Sequence, residues 1–221
     1  QGVLETALRR ITGESIRIVG AGRTDRGVHA TGQVISFQSG TSLAPRALQH
    51  ALNAVLPEDV AIITAAEAEP GFHARFSARA REYRYTIWNA AERPVLGRQY
   101  VLHWRAYLDA AAMDRAAQVL VGEHDFAAFA GASEASERPR RTIRTMYRLH
   151  CWRDGHRVIV QAVADAFLPH MVRNVVGTLL LVGMHRASVE DVARILASRD
   201  RRQAGATIPP RGLCLTRVEY D

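Results

Sequence analysis

IRTMYRLHCWRDGHRVIVQAV, residues 143–163, alternates apolar and polar side chains on either side of Asp154-Gly155. Period-two alternation places one set of side chains on each face of a strand, and an Asp-Gly pair between two such runs marks a tight hairpin. Ile143 to Trp152 and Arg157 to Val163 are therefore expected to form an antiparallel pair. Upstream, Glu82 to Trp88 alternates aromatic and β-branched residues as a strand, and Leu108 to Leu120 follows with helical spacing behind acidic residues. Downstream, Met171 to Met184 and Val189 to Ala197 read as helices and Leu213 to Tyr220 as a last strand. The order is strand, helix, strand, strand, helix, strand, with one extra helix before the end.

The first seventy residues have a similar rhythm. Val3, Leu4, Ala7, Leu8 and Ile11 recur at helical spacing up to Gly13, Ser15 to Val19 and Thr31 to Phe37 alternate as strands, and Ala44 to Leu56 is a helix stopped at Pro57. Asp59 to Ala66 is a β-branched run expected to close that half as a strand. The fold class expected is α+β: two βαββαβ (ferredoxin-like) halves, each an antiparallel sheet with helices on one face. On this reading the first strand of the N-terminal half is missing from the chain, and an upstream strand is expected to complete its ladder. Residues 1–79 form the N-terminal half and 80–221 the C-terminal half, with Arg93 to Arg105, which holds Pro94 and Gly97, read as a connector.

All 29 basic residues of this 221-residue chain are arginine, against 22 acidic ones, a formal charge of +7. A genome rich in G and C favours arginine over lysine, which would account for the replacement but not for the surplus or its clustering. Arg75, Arg79, Arg81 and Arg84 form one cluster, and Arg138, Arg140, Arg141, Arg144 and Arg148 another. Clustered guanidiniums suit a phosphate backbone, where neutralising charge releases counterions; a solvated edge strand is the competing reading. At 48% apolar and 23% charged, the composition is that of a globular protein rather than a disordered or fibrous one. Val175 to Met184 is the longest apolar stretch, about half of a membrane span. Two cysteines, Cys151 and Cys214, support neither a disulfide framework nor a cysteine-rich metal site, and a cytoplasmic location is expected.

Chemistry concentrates in Gly22-Arg23-Thr24-Asp25-Arg26-Gly27-Val28-His29. The glycines allow tight backbone near a ligand, and Arg23 and Arg26 flank a single carboxylate in a way that favours its charged form. A nucleophilic or charge-stabilising role for Asp25 and a surface turn with a local ion pair both fit this spacing. The segment lacks the dinucleotide-binding glycine spacing and the phosphate-loop lysine. Three more stretches follow in order: Phe72-His73-Ala74-Arg75-Phe76-Ser77-Ala78 running into Arg81-Glu82-Tyr83-Arg84-Tyr85; Gly122-Glu123-His124-Asp125-Phe126; and Phe167-Leu168-Pro169-His170-Met171-Val172-Arg173-Asn174, with Gly177 after it.

These four motifs together closely resemble the tRNA pseudouridine synthase A family over nearly the whole chain. The resemblance implies a cofactor-free isomerase that converts uridine to pseudouridine at positions 38–40 of the tRNA anticodon stem-loop. It implies a homodimer, tRNA as partner, no membrane, and a catalytic cleft between the two halves. By motif position Asp25 corresponds to the essential aspartate, Tyr83 to the tyrosine that stacks on the target base, and Arg173 to the arginine that pairs with the carboxylate. Arg23, Arg26, His29 and Arg75, together with Tyr83, are the expected substrate contacts. Taken alone, Tyr83 could be a core strand aromatic and Arg173 a phosphate clamp at a helix start. The nine histidines include no H-x-H or H-x-x-x-H pair, so no metal site is expected. His29, His73, His124 and His170 lie in the motifs without an assigned role.

The chain departs from the family pattern at Asp165, Cys214 and Pro209-Pro210-Arg211, and at Pro169 before the helix. These positions surround the expected site rather than form it. Two competing functions differ in class: a catalytically impaired RNA-binding protein of the same fold, and a carboxylate-dependent hydrolase of a phosphorylated small molecule. The hydrolase would need a second acid or a metal carboxylate cluster, and none accompanies Asp25 in sequence.

Overall fold

The computed structural model describes residues 1–131 and 141–220. It is a mixed α+β protein whose chain divides into two compact units, residues 1–23 with 34–78 and residues 24–33 with 79–221.

In the first unit, helix α1 (Gly2–Thr12) ends at Gly13, whose φ of 75° is the left-handed turn that a glycine makes without a Cβ clash. Helix α2 (Pro45–Val55) starts with proline in its first turn, where no amide partner is lost. Ala7, Leu8, Leu48 and Leu52 pack with Ile16 and Ile18 into a small core. Strands β1 (Val19–Gly20) and β3 (Ile35–Ser36) pair antiparallel, so only the ends of the two expected strands form ladder. The intervening strand β2 (His29–Ala30) belongs to the second unit.

The expected strand at 59–66 is absent. Its central backbone groups are taken by side chains of α2: Ile62 N–H donates to Asn53 Oδ1 at 2.7 Å, and Asn53 Nδ2 returns a bond to Ile62 O at 2.9 Å. Gln49 Nε2 donates to Ile63 O at 2.6 Å. A β-branched run signals a surface suited to pleating, but these amides satisfy the backbone without a neighbouring strand.

The second unit is built on a sheet that includes β2, β4 (Ala80–Trp88), β5 (Leu102–His103), β6 (Gly122–Asp125), β7 (Ile143–Asp154), β8 (Arg157–Ala164) and β9 (Leu213–Glu219). Its order is β2-β9-β4-β8-β7-β6, with β5 beside β4. The four long strands are antiparallel, and the expected hairpin forms, with Asp154 paired to Arg157 and Gly155-His156 as its turn. The sheet is not wholly antiparallel as expected, because the two-residue strands β2 and β5 pair parallel with β9 and β4. Residues 93–105, read as a connector, lie inside this unit and supply β5.

Register explains the core. Leu215, Tyr83, Ala162 and Leu149 lie side by side across β9-β4-β8-β7, and Leu213, Tyr85, Val160 and Cys151 form the next row. All are buried, so each strand turns every second side chain inward. Against them pack α3 (Ala110–Gln118), α4 (Met171–Gly183) and α5 (Val189–Ser198). Asp109 caps α3 by accepting from Ala112 N–H at 2.9 Å, and Ser188 with Asp191 forms a reciprocal capping box on α5. Helix α4 is mostly apolar and almost wholly buried, as a helix inside a core must be.

Gly177 on α4 marks the tightest contact: a Cβ there would lie 2.0 Å from the carbonyl oxygen of Ala206. Backbone cannot yield as a flexible side chain can. We expect Gly177→Ala to lower the unfolding free energy by about 1–3 kcal/mol, read as a lower denaturant midpoint at unchanged slope.

Candidate active site

The Asp25 loop is anchored where it runs into β2 and by the turn that follows Asp25. His29 and Ala30 sit in register with Cys214 and Leu215, and the amides of Thr31 and Gly32 both donate to Leu215 O, at 2.9 and 3.1 Å. Gly32 approaches so closely that a Cβ would lie 2.1 Å from Thr216 O. On the other side Val28 N–H closes a turn onto Asp25 O at 3.0 Å, and Gly27 has a φ of 83°. A side chain at Gly27 would press on the Pro210 ring, 3.1 Å from its Cγ.

Facing this loop is the first turn of α4. Arg173 Nη1 donates to Asp25 Oδ2 at 2.8 Å, and its Nε donates to Ile208 O at 2.7 Å. The Arg173 side chain is 13% exposed and that of Asp25 33%, so the pair is largely shielded without being sealed. Screening is weak at such burial, and the bond is charge-assisted. A cation in the first turn of a helix opposes the helix dipole, and the carboxylate it binds offsets that cost.

His170 was assigned no role from the sequence, yet its Nε2 lies 3.4 Å from the same Asp25 oxygen. It precedes α4 with a φ of 58°, a conformation that histidine tolerates better than most side chains. Its ring lies against Gly131, where a Cβ would come within 2.5 Å of Nδ1. The motif Pro169-His170-Met171 was the available signal, but periodicity does not reveal a left-handed residue before a helix.

Tyr83 is buried, 9% exposed, with its ring edge-on to Phe167 at 5.1 Å between centroids. Burial pushes its phenol up to about 12, and the negative charge of Asp25 acts in the same direction. The hydroxyl is therefore neutral at any physiological pH. Tyr85, two residues on, donates to Pro209 O at 2.7 Å, and burial pushes its phenol up as well.

The other expected contacts are distributed differently. Arg26 is exposed in the second unit, and His29 Nε2 lies 3.0 Å from Gln99 O with its ring edge-on to Tyr100. Arg23 and Arg75 are exposed residues of the first unit, where His73 Nδ1 accepts from the amides of Arg75 and Phe76. In the second unit His124 meets Val121 O, and Asp125 caps the turn that follows it and pairs with Arg199. Of the second arginine cluster, Arg141 and Arg148 are exposed and Arg144 donates to the carbonyls of Arg141 and Ile143. Arg138 and Arg140 lie outside the described residues.

The unusual residues have structural uses. Asp165 Oδ1 accepts from Thr145 N–H at 3.1 Å and Ala166 N–H at 2.7 Å, which pins the ends of β7 and β8 together. Pro209 and Pro210 meet Tyr85 and Gly27, so the irregular segment supports the Asp25 loop directly.

A partly buried carboxylate–guanidinium pair beside an aromatic strand is an arrangement suited to charge-stabilised chemistry. A family model for tRNA pseudouridine synthase matches residues 1–77 and 116–221. The tRNA pseudouridine synthase A of Chloroflexus aurantiacus is 50% identical over 224 residues, covering 100% of this chain and 80% of that protein. Its counterparts from Moorella thermoacetica and Geobacillus kaustophilus are 46% and 45% identical, covering 100% of this chain and 88% and 85% of their own lengths. The chain belongs to the tRNA pseudouridine synthase family.

Two measurements follow from the geometry. Arg173→Lys leaves one ammonium where a planar fork joins Asp25 to Ile208, and we expect turnover to fall by about 10²-fold in single-turnover kinetics. Tyr83, with its phenol raised from 10 to about 12, favours the folded state fully below pH 10. That contribution, on the order of 2 kcal/mol, is lost as pH rises from 10 toward 12. Denaturant unfolding at pH 8 and pH 11 is expected to show a smaller loss for Tyr83→Phe than for the unsubstituted protein.

Proposed function

We propose that this chain isomerises uridine to pseudouridine in tRNA, at positions 38–40 of the anticodon stem-loop, with Asp25 as the essential carboxylate. The observation that carries the reading is the Asp25–Arg173 ion pair at 2.8 Å, made by two residues that match the family's motifs. The reaction breaks the N1–C1′ bond, turns the base and joins C5 to C1′; C5 loses a proton and N1 gains one. Electrons and water are conserved, so the chemistry calls for no cofactor. An ionised Asp25 can attack C1′ or C6, or assist loss of the C2′ proton. Arg173 holds the carboxylate oriented, and Tyr83 offers an aromatic surface to a base that has left its stack.

Arg23, Arg26, His29 and Arg75 complete the substrate contacts in this reading, and the surplus arginines meet tRNA phosphates. The two halves, 1–79 and 80–221, are read as versions of one βαββαβ unit, the first without the closing strand expected at 59–66. Setting aside β5, β6 and α5, the chain order β4-α3-β7-β8-α4-β9 and spatial order β9-β4-β8-β7 support this for the second. The active protein is a cytoplasmic homodimer on this reading. Both cysteines are free, and among the described residues no helix is long and apolar enough to cross a membrane.

The test uses tRNA tritiated at uridine C5, because a new C5–C1′ bond must expel that label into water. Release is expected from the unsubstituted protein and a loss of about 10²-fold or more from Asp25→Asn. Tight tRNA binding without release would instead identify an RNA-binding protein of this fold.

A further inference from the structure

The carbonyl that fixes Arg173 comes from a stretch with no regular secondary structure, Ala204 to Pro209. Such a stretch contains Gly205 and would not hold one carbonyl oxygen in place unaided. It is tied to α4 by polar contacts that the reaction does not use. Asn174, the residue after Arg173, is fully buried. Its Nδ2 donates to Phe129 O at 2.8 Å, which orients the amide so that Oδ1 faces the 201–208 segment. That oxygen accepts from the Thr207 hydroxyl at 2.6 Å and from Arg201 Nη2 at 3.0 Å. Arg201 Nη2 also donates to Thr207 Oγ1 at 3.0 Å, closing a triangle, and its Nη1 reaches Ala204 O at 3.2 Å. One turn further along α4, Thr178 donates to Asn174 O and accepts from Gly205 N–H, both at 2.9 Å.

We propose that Thr207, Asn174 and Arg201 are positioning residues that hold the Ile208 carbonyl against Arg173 and so aim its guanidinium at Asp25. Thr207 is the immediate neighbour of Ile208, and Asn174 the immediate neighbour of Arg173, so one triangle fixes both ends of the Arg173 Nε bond. A buried amide and a guanidinium contribute little net stability compared with an apolar filling. What a satisfied polar network supplies is a single geometry. Here that geometry is the one an oriented carboxylate requires. The proposal rests on the reading of Asp25 as the essential carboxylate.

Thr207 gives the cleanest test because the residue is exposed and Thr207→Val changes shape very little while removing the hydroxyl. Release of tritium from C5-labelled tRNA is measured at saturating protein, alongside tRNA affinity and the thermal midpoint. We expect the saturated rate to fall about tenfold, since small misplacements of a reacting group cost rate rather than binding. Affinity and midpoint are expected to hold, and Thr207→Ser, which keeps the donor, is expected to recover most of the rate. An unchanged rate for Thr207→Val would overturn the proposal. So would a fall in which rate, affinity and midpoint drop together, or one that Thr207→Ser fails to repair. Asp25→Asn separates the two readings: label release that survives it removes the catalytic assignment itself, whatever Thr207→Val does.

Discussion

A guanidinium carries its N–H donors in one rigid plane, so a partner on one side dictates where the other side points. Arg173 divides its plane between a carboxylate and a backbone carbonyl, at 2.8 and 2.7 Å. Two sets of contacts support them, one for each. The last strand and Pro210 hold the loop that presents Asp25, and the polar triangle around Asn174 holds the segment that presents Ile208. Charge-assisted bonds of this kind contribute about 1.5–3 kcal/mol each, but the geometry matters more here than the energy. A lysine could supply the charge and would leave its direction free.

The second constraint is the close approach of backbones. Gly177 lies against Ala206, Gly205 against Gly177 and Gly32 against Thr216, each within a distance that excludes a Cβ. Close packing of this sort lets irregular segments behave as rigidly as strands. Segments 24–33 and 204–212 have little regular structure, yet they carry or support the site because buried scaffold elements clamp them on several sides.

Much of the second unit was legible because its signals were strong and local. The Asp154-Gly155 turn, the alternation along β4 and β8, and the apolar run of α4 each follow from one period and one packing environment. The 59–66 run misled because Asn53 and Gln49, on a different element, took its backbone groups, and no pattern within the run records that. Residues 31–37 read as one strand, whereas the chain pairs with β9 at residues 29–30 and with β1 only at residues 35–36. At the site, Asp25, Tyr83 and Arg173 stood out as motif residues. His170 lies in a motif too but carried no role, because its place beside Asp25 depends on a left-handed backbone that only the fold reveals. The tasks of Thr207 and Arg201 are likewise invisible locally, since their partner Asn174 is 33 and 27 residues away.

Strand β2 adds a consequence in time. The loop bearing Asp25 is ordered by β9, and its ion-pair partner lies 148 residues further along the chain. During synthesis the N-terminal side chains emerge long before the strand that seats them. Contacts so distant in sequence carry a large loop-closure cost and form slowly. Asp25 thus leaves the ribosome well before Arg173 and β9, and its surroundings are complete only once both have been made. A nascent fragment that stops short of β9 would present Asp25 without the strand that seats its loop.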